Sequence, residues 1–392
     1  MSVNTMSVQD AHIILNDMAK QITGEDTITS VDTASFVSLA QKLIQEGYDP
    51  LLGALRQTMT RSIFSERNYD PKLRGVQTDN ARFGAYTRKI NYLDNDFEVN
   101  PAYTLEDGDF TPDMFSINKP KVFETTFYGM NTYKRHYTMF RQALDNALRS
   151  PEEFAAFYSG VAQNNANVIK QSWESAVRIL IANLVAGKVA KNSEDSIIHV
   201  LTEYNEACGL QLTQEEARQP QNFKAICQWL YARINNLSDL MEERSQLFQE
   251  QVEGFELNRH TPKEYQRIYF NSQFLNEMSA RAVADTYHDS FLKADVTEGV
   301  TFWQNIKDPY KIIAKPSYMD SNGQVVESEA EVTVDNVIGV IFDRDCLAMS
   351  VFDEYSSQTP YESRGDYWNL WWSWTVRWAE DMTEKAIVIL FD

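Results

Sequence analysis

Residues 337–392 read VIGVIFDRDCLAMSVFDEYSSQTPYESRGDYWNLWWSWTVRWAEDMTEKAIVILFD, and how this stretch packs decides the fold. Five of the eight tryptophans lie between Trp368 and Trp378. Every even position in that window is apolar: Trp368, Leu370, Trp372, Trp374, Val376 and Trp378. The odd positions include Asn369, Ser373, Thr375 and Arg377. Such alternation sends one row of side chains to each face of a strand. Tyr367, Leu370, Trp371, Trp374 and Trp378 also recur at helical spacing. The density of aromatic and β-branched residues favours the strand. Runs 337–342 and 386–391 flank it as further strands, so a sheet with a heavy aromatic face is expected. That face must pack on something earlier in the chain.

Working outward, 392 residues suggest two or three domains, and 43% hydrophobic content supplies real cores. The formal net charge of −20 excludes broad phosphate neutralisation as a binding mode and keeps the chain soluble. Three widely spaced cysteines, Cys208, Cys227 and Cys346, fit free thiols in a reducing compartment. The first residues carry Asp10 and Asp17 and lack a basic-then-apolar signal pattern. No run approaches the roughly 18 apolar residues of a membrane span.

Residues 8–23 and 34–46 each place apolar side chains on one helical face, followed by Gly24 and Gly47 as stops. Asp49-Pro50 reads as the cap and first turn of a third helix carrying Leu51, Leu52 and Leu55. Residues 93–115 hold seven acidic residues and no basic one. Their spacing fails the helix–loop–helix calcium pattern, so a solvated, extended excursion is the better reading. Residues 121–129, KVFETTFYG, read as a strand returning from it. Ser150-Pro151-Glu152-Glu153 is a capping box with proline at the first helical position. Apolar residues then recur at helical spacing from Phe154 to Val185, with Gly187 as the expected stop. The 36 residues 151–186 would span roughly 54 Å, the length of a spine on which other elements pack. Residues 193–315 mix helical stretches (223–240, 274–292) with a short strand at 267–270. Ser321-Asn322-Gly323 marks a hairpin turn between 311–314 and 324–326.

Catalytic and cofactor signals are missing from the motif inventory. His12, His136, His199, His260 and His288 are dispersed, and no pair has metal-ligand spacing. There is no phosphate loop, dinucleotide fingerprint or nucleophile elbow. Arg364-Gly365-Asp366 reads as a turn that launches the tryptophan strand. Glu380 and Asp381 beside the Trp368–Trp378 row raise a glycosidase or carbohydrate-binding alternative, but an aromatic stripe at strand spacing is more often core or interface. No catalytic, cofactor or metal residue is assigned.

Taken in order, these elements resemble the major capsid proteins of tailed bacteriophages, the Hong Kong 97 fold family. FSERNYDPKL (64–73) and RFGAYTRKINYLDNDFE (82–98) look like the entry to that family's extension loop. NKPKVFETTFYGMNTYKRHYTMF (118–140) looks like its return. The SPEEF start of the long helix, VIGVIFDRD and RGDYWNLWW are similar too. The resemblance implies an α+β fold with an N-terminal helical arm (1–75), an extension loop with flanking strands (76–137) and a peripheral domain with the spine helix (138–192). An axial α+β domain (193–345) and returning C-terminal strands (346–392) complete it. It implies a structural, non-enzymatic protein that self-assembles as hexamers and pentamers of an icosahedral head. Its implied partners are scaffolding, portal and decoration proteins and packaged double-stranded DNA, bound without sequence specificity; no membrane is involved. Its implied place is the virion, after assembly in the host cytoplasm. The arm would reach adjacent subunits and the loop would lie over a neighbour. Some family members crosslink a lysine to a neighbour's asparagine; Lys89 and Asn369 are the residue types required, and nothing in the sequence brings them together. An encapsulin-like compartment is the alternative on the same fold, and the helical segment 8–65 argues against it.

Overall fold

The computed structural model describes residues 8–24, 30–55, 73, 76, 87–92, 121–253, 257–278, 280 and 298–392. The acidic excursion 93–115, most of the loop-entry motifs and residues 281–292 of the expected 274–292 helix lie outside them.

Three helices open the chain. They are α1 (Val8–Thr23), α2 (Thr33–Glu46) and α3 (48–55). Asp32 caps α2 in a reciprocal box with Ser35, which satisfies backbone N–H groups that a helix start leaves unpaired. Asp49 is not the cap of α3: the helix begins at residue 48, and the Asp49 carboxylate accepts the Trp368 indole N–H at 2.8 Å. The buried faces of α1 and α2 (Leu15, Met18, Phe36, Leu43) pack on the chain's own long helix, with the Phe36 and Phe154 rings 5.9 Å apart. These helices therefore form a layer against α5 of their own chain.

Strands β1 (Thr87–Tyr92) and β2 (Val122–Phe127) pair antiparallel as a two-stranded ribbon. After Gly129 the chain continues as β3 (Met130–Phe140), followed by α4 (Arg141–Ala147) and α5 (Pro151–Ala190). Ser150 caps α5 by accepting Glu153 N–H. Forty residues make α5 roughly 60 Å long. It does not stop at Gly187. A Cβ there would lie 2.7 Å from Met382 Cε, so the glycine serves close packing and the helix runs on to Ala190.

Then come β4 (Ile197–His199), α6 (Val200–Cys208), α7 (Gln214–Ala217), α8 (Pro220–Glu242), β5 (Gln266–Asn271), α9 (Ser272–Met278) and β6 (Glu298–Val300). A long hairpin follows. Its base pairs β7 (Ile312–Ala314) with β10 (Val332–Val334), and its tip pairs β8 (Ser317–Met319) with β9 (Val325–Glu327). The turn at 321–323 is as expected, but the strand at 312–314 pairs with β10 and not with the strand that leaves the turn. Two hairpin segments with different register share one turn, and the sequence signal marks only the turn.

The C-terminal stretch divides between two sheets, which corrects the single sheet expected for it. Strands β11 (Val337–Asp343) and β14 (Ala386–Leu390) pair with each other in a five-stranded sheet of order β4-β14-β11-β5-β6. Strands β12 (Leu347–Gln358) and β13 (Tyr367–Glu380) join β3 in a three-stranded sheet of order β12-β13-β3. The five-stranded sheet is buried on both faces. Ile338, Ile341, Ile387 and Ile389 point into a core with Phe223, Leu230 and Phe274. Val337, Val340, Phe342, Val388 and Leu390 point into the other core, shared with Ile181, Leu184 and Val185 of α5. Two-sided burial is why VIGVIF and AIVIL read as unbroken apolar runs. Strand β13 behaves as its alternation predicts at first, with Trp368, Leu370 and Trp372 buried and Asn369 and Trp371 half-exposed. From Ser373 to Arg377 both faces are buried.

Candidate assembly interface

The β1–β2 ribbon has two unlike faces. Pairing places Ile90 opposite Glu124 and Tyr92 opposite Val122. Ile90, Tyr92 and Val122 are all exposed, Tyr92 at 73%, so this face offers apolar side chains to solvent. Alternation puts Lys89 and Asn91 on the opposite face. There the Lys89 ammonium meets Asp381 at 2.8 Å and also bonds Glu384. Arg259 bonds Glu384 too, and reaches Asn91 at 3.3 Å and Thr383 at 2.8 Å. The ribbon is thus tied by charge on one face and presents Ile90, Tyr92 and Val122 beside an exposed Arg88–Glu124 ion pair on the other.

The ties converge on the turn 380–385 between β13 and β14. Asp381, Met382, Thr383, Glu384 and Lys385 are all buried. Together they reach several elements. Asp381 and Glu384 hold the ribbon through Lys89. Met382 packs at Gly187 of α5. Glu380 accepts from Asn183 of α5. Lys385 donates to the carbonyls of Met241 and Glu243 at the end of α8 and to Ser245. One turn further along α5, buried Lys188 meets Glu250 at 3.2 Å, and Lys191 meets the same carboxylate at 2.8 Å.

Burial and charge pull these groups in opposite directions. Burial alone would raise the Asp381 carboxyl, but Lys89 and the Thr383 hydrogen bond outweigh it and hold it below the usual range. Burial likewise works against the Lys89 ammonium, yet Asp381 and Glu384 lift it above its ordinary value. Glu384 stays raised, because its burial outweighs both cations. Glu380 has no such neighbour, and burial pushes it up to about 8. Burial pulls Lys385 down to about 8.

Other sequence candidates fall into place around this joint. Glu380 and Asp381 do not face each other across a cleft; one rests on Asn183 and the other on Lys89. Lys89 and Asn369 are on different sheets, and Asn369 accepts from Thr138 at 2.7 Å. Arg364-Gly365-Asp366 forms the turn before β13. Asp366 takes a left-handed φ of 51°, accepts from the Tyr361 hydroxyl, and its carbonyl caps Arg141 N–H at 3.0 Å. Among the described residues, no group of three or more His, Cys, Asp or Glu side chains is placed to hold a metal ion, and no helix is long and apolar enough to cross a membrane. The charged turn 380–385 was missed from sequence. Its signal, six consecutive residues with four charges between two apolar strands, ordinarily marks an exposed turn.

Comparison with known proteins follows the geometry. No curated protein matches the chain in sequence. A capsid chain of Staphylococcus phage Andhra superposes with a TM-score of 0.51 at 11% identity, covering 81% of this chain and 83% of that one. A chain from the structure of the head fibre and inner core protein gp22 of native bacteriophage P68 gives 0.53 at 10% identity, covering 82% and 85%. At such identities the likeness is one of fold. It bears out the α+β capsid architecture. The family match is to phage capsids, which disfavours the encapsulin and carbohydrate-module readings. A family model, Phi29-like phage major capsid protein, matches residues 13–389, so this chain belongs to the Phi29-like phage major capsid protein family.

Proposed function

We propose that this major capsid protein tiles an icosahedral head as hexamers and pentamers around double-stranded DNA, with the β1–β2 ribbon as a principal lateral contact. The carrying observation is the ribbon's asymmetry: Ile90, Tyr92 and Val122 are exposed while Lys89 is locked to Asp381 and Glu384 behind them. An exposed two-stranded ribbon with an apolar face is poorly stable alone and gains by covering that face with a second copy. The net charge of −20 supports a container that releases DNA instead of binding it tightly.

The domain division follows the two sheets. A peripheral domain centres on α5 and the β12-β13-β3 sheet, and an axial domain on the five-stranded sheet with α6 to α9. The role is structural and has no catalytic step. Scaffolding, portal and decoration proteins meet the assembled shell, which is built in the host cytoplasm and ends in the virion. The test is electron microscopy and nuclease digestion of native particles. Closed shells built from this chain, holding nuclease-resistant DNA, are expected. Empty shells loaded with a cellular enzyme would overturn the head reading, and a stable monomer would overturn assembly altogether.

A further inference from the structure

We propose that residues 325–331 of the long hairpin, an acidic segment that begins with β9, dock along the free edge of strand β3 in a second copy of the chain. The inference rests on the tiling of copies proposed above and adds a contact distinct from the ribbon. Its base is a pair of open strand edges. Strand β3 is an outer strand of the β12-β13-β3 sheet, and β9 belongs to a two-stranded sheet. Among the described residues, each therefore pairs on one side alone and turns a row of backbone N–H and C=O groups outward, a template for adding a strand. The basic part of β3 and the hairpin are anchored far apart in their own subunit. Arg135 donates to the Asn164 carbonyl of α5 at 3.3 Å, whereas Asn183 of α5 donates to the Ser317 carbonyl of the hairpin at 3.1 Å. Those anchors lie 19 residues apart on one helix, roughly 28 Å.

Charge selects the occupant. Strand β3 carries Lys134, Arg135 and His136 and no acid, a basic edge in a chain of net charge −20. Residues 325–331 read VVESEAE, with three glutamates and no base. Lys134, Glu327, Glu329 and Glu331 are all exposed, and none of these four side chains is paired among the described residues. At the hairpin's base Lys311 already meets Asp335 at 3.3 Å. Lys315, across the hairpin from the glutamates, still leaves an excess of negative charge. Apolar side chains accompany the charges on both edges: Val325, 74% exposed, and Val326 on one, Met130, Tyr133 and Phe140 on the other. Opposite charge steers the two edges together and fixes their register, and the apolar side chains gain by being covered. One copy carries both halves, so the contact is heterologous: it repeats from copy to copy and closes into a ring where the rotation allows.

Charge reversal with rescue in trans tests the contact, using the full chain and light scattering for particle size. Lys134→Glu alone, or Glu327→Lys with Glu329→Lys, should raise the concentration needed for assembly by about tenfold or more. All three positions are exposed, so both variants should unfold in denaturant as the wild type does. An equal mixture of the two variant chains matches every contact by alternation and should regain assembly, with both chains in the same particles by mass spectrometry. Hydrogen exchange on the wild type gives a readout free of substitutions: residues 131–138 and 325–331 should both gain protection on assembly. Wild-type assembly by either single variant chain, no rescue in the mixture, or unchanged exchange in both segments would overturn the contact while leaving the tiling of copies intact. A wild-type chain that stays monomeric would overturn the tiling and this contact with it.

Discussion

Single residues carry unusual constraints here, and Gly129 is the tightest. A Cβ at this position would lie 2.6 Å from Trp378 Cδ1 and 2.7 Å from the Trp378 carbonyl oxygen, where Gly129 also accepts the Trp378 N–H at 3.0 Å. A carbonyl cannot rotate aside as a side-chain tip can. Gly129→Ala should cost about 1–3 kcal/mol in denaturant unfolding, the range of overpacking. The tryptophans differ from one another in a checkable way. Trp368 donates to Asp49, whereas the buried Trp372 indole N–H has no partner. Trp368→Phe should therefore lose about 1–2 kcal/mol more than Trp372→Phe. Titration gives a third expectation. Glu380 is raised from 4.5 to about 8, so the native state holds a proton that the unfolded chain has released. Stability must then fall as pH rises from 4.5 to 8, by roughly 5 kcal/mol at most, and level off above. Lys385 is lowered from 10.5 to about 8, so the unfolded chain holds the extra proton between those values and stability recovers above pH 8. Urea unfolding of the wild type should show a minimum near pH 8, and Glu380→Gln should remove its acid-side slope. A wild-type curve rising monotonically from pH 5 to 8 would count against this reading of Glu380.

At the scale of elements, periodicity was legible wherever one face met a core. The tryptophan strand, both N-terminal helices and the start of α5 follow directly from alternation, helical spacing and Ser150. Sheet membership was not legible. Strands β11 and β14 lie close to β13 in sequence yet pair across a different sheet, because pairing depends on which strands share a two-sided core and not on chain proximity. Gly187 shows the same limit: a glycine that ends a helix and one that admits a neighbour look alike in sequence. The turn 380–385 was the least legible element. Asp381 and Glu384 are paired with Lys89 and Arg259, and Lys385 is hydrogen-bonded to backbone carbonyls, all of which lie far away in the chain. Removing the core element itself should be severe. Trp372→Ala leaves a cavity between β13 and the α5 layer and is expected to cost about 3–5 kcal/mol, against about 1 kcal/mol for the cap change Ser150→Ala. Thermal or denaturant unfolding that ranks the two in reverse would put the core elsewhere.

For the whole molecule, the turn 380–385 joins the β1–β2 ribbon, the spine helix, the end of α8 and both larger sheets. A shell subunit has to transmit load among such parts, and charge pairing at a buried joint fixes their relative orientation more specifically than apolar contact does. The ribbon's two faces differ: the inner one is fastened to the subunit, and the outer one is exposed and is the face proposed above for the lateral contact. Ile90→Asp with Tyr92→Asp changes only the exposed face, and neither side chain enters the Lys89 cluster. That double variant should fold, with a cost of about 1 kcal/mol or less because position 90 faces Glu124, and fail to close shells, because two charges would be buried without partners in each contact. Deleting residues 93–112 should act likewise. A longer deletion starting at Asn91 would remove a ribbon strand end and the Asn91–Arg259 bond, confusing folding with assembly. Lys89→Ala should do the reverse. It leaves the outer face intact but strips Asp381 of its ion-pair partner in a buried site and leaves Glu384 to Arg259 alone, so the loss should appear as instability of the unassembled chain. Light scattering for particle size and denaturant unfolding of each variant separate these outcomes. Normal shells from the Ile90→Asp, Tyr92→Asp chain would move the lateral contact away from the ribbon.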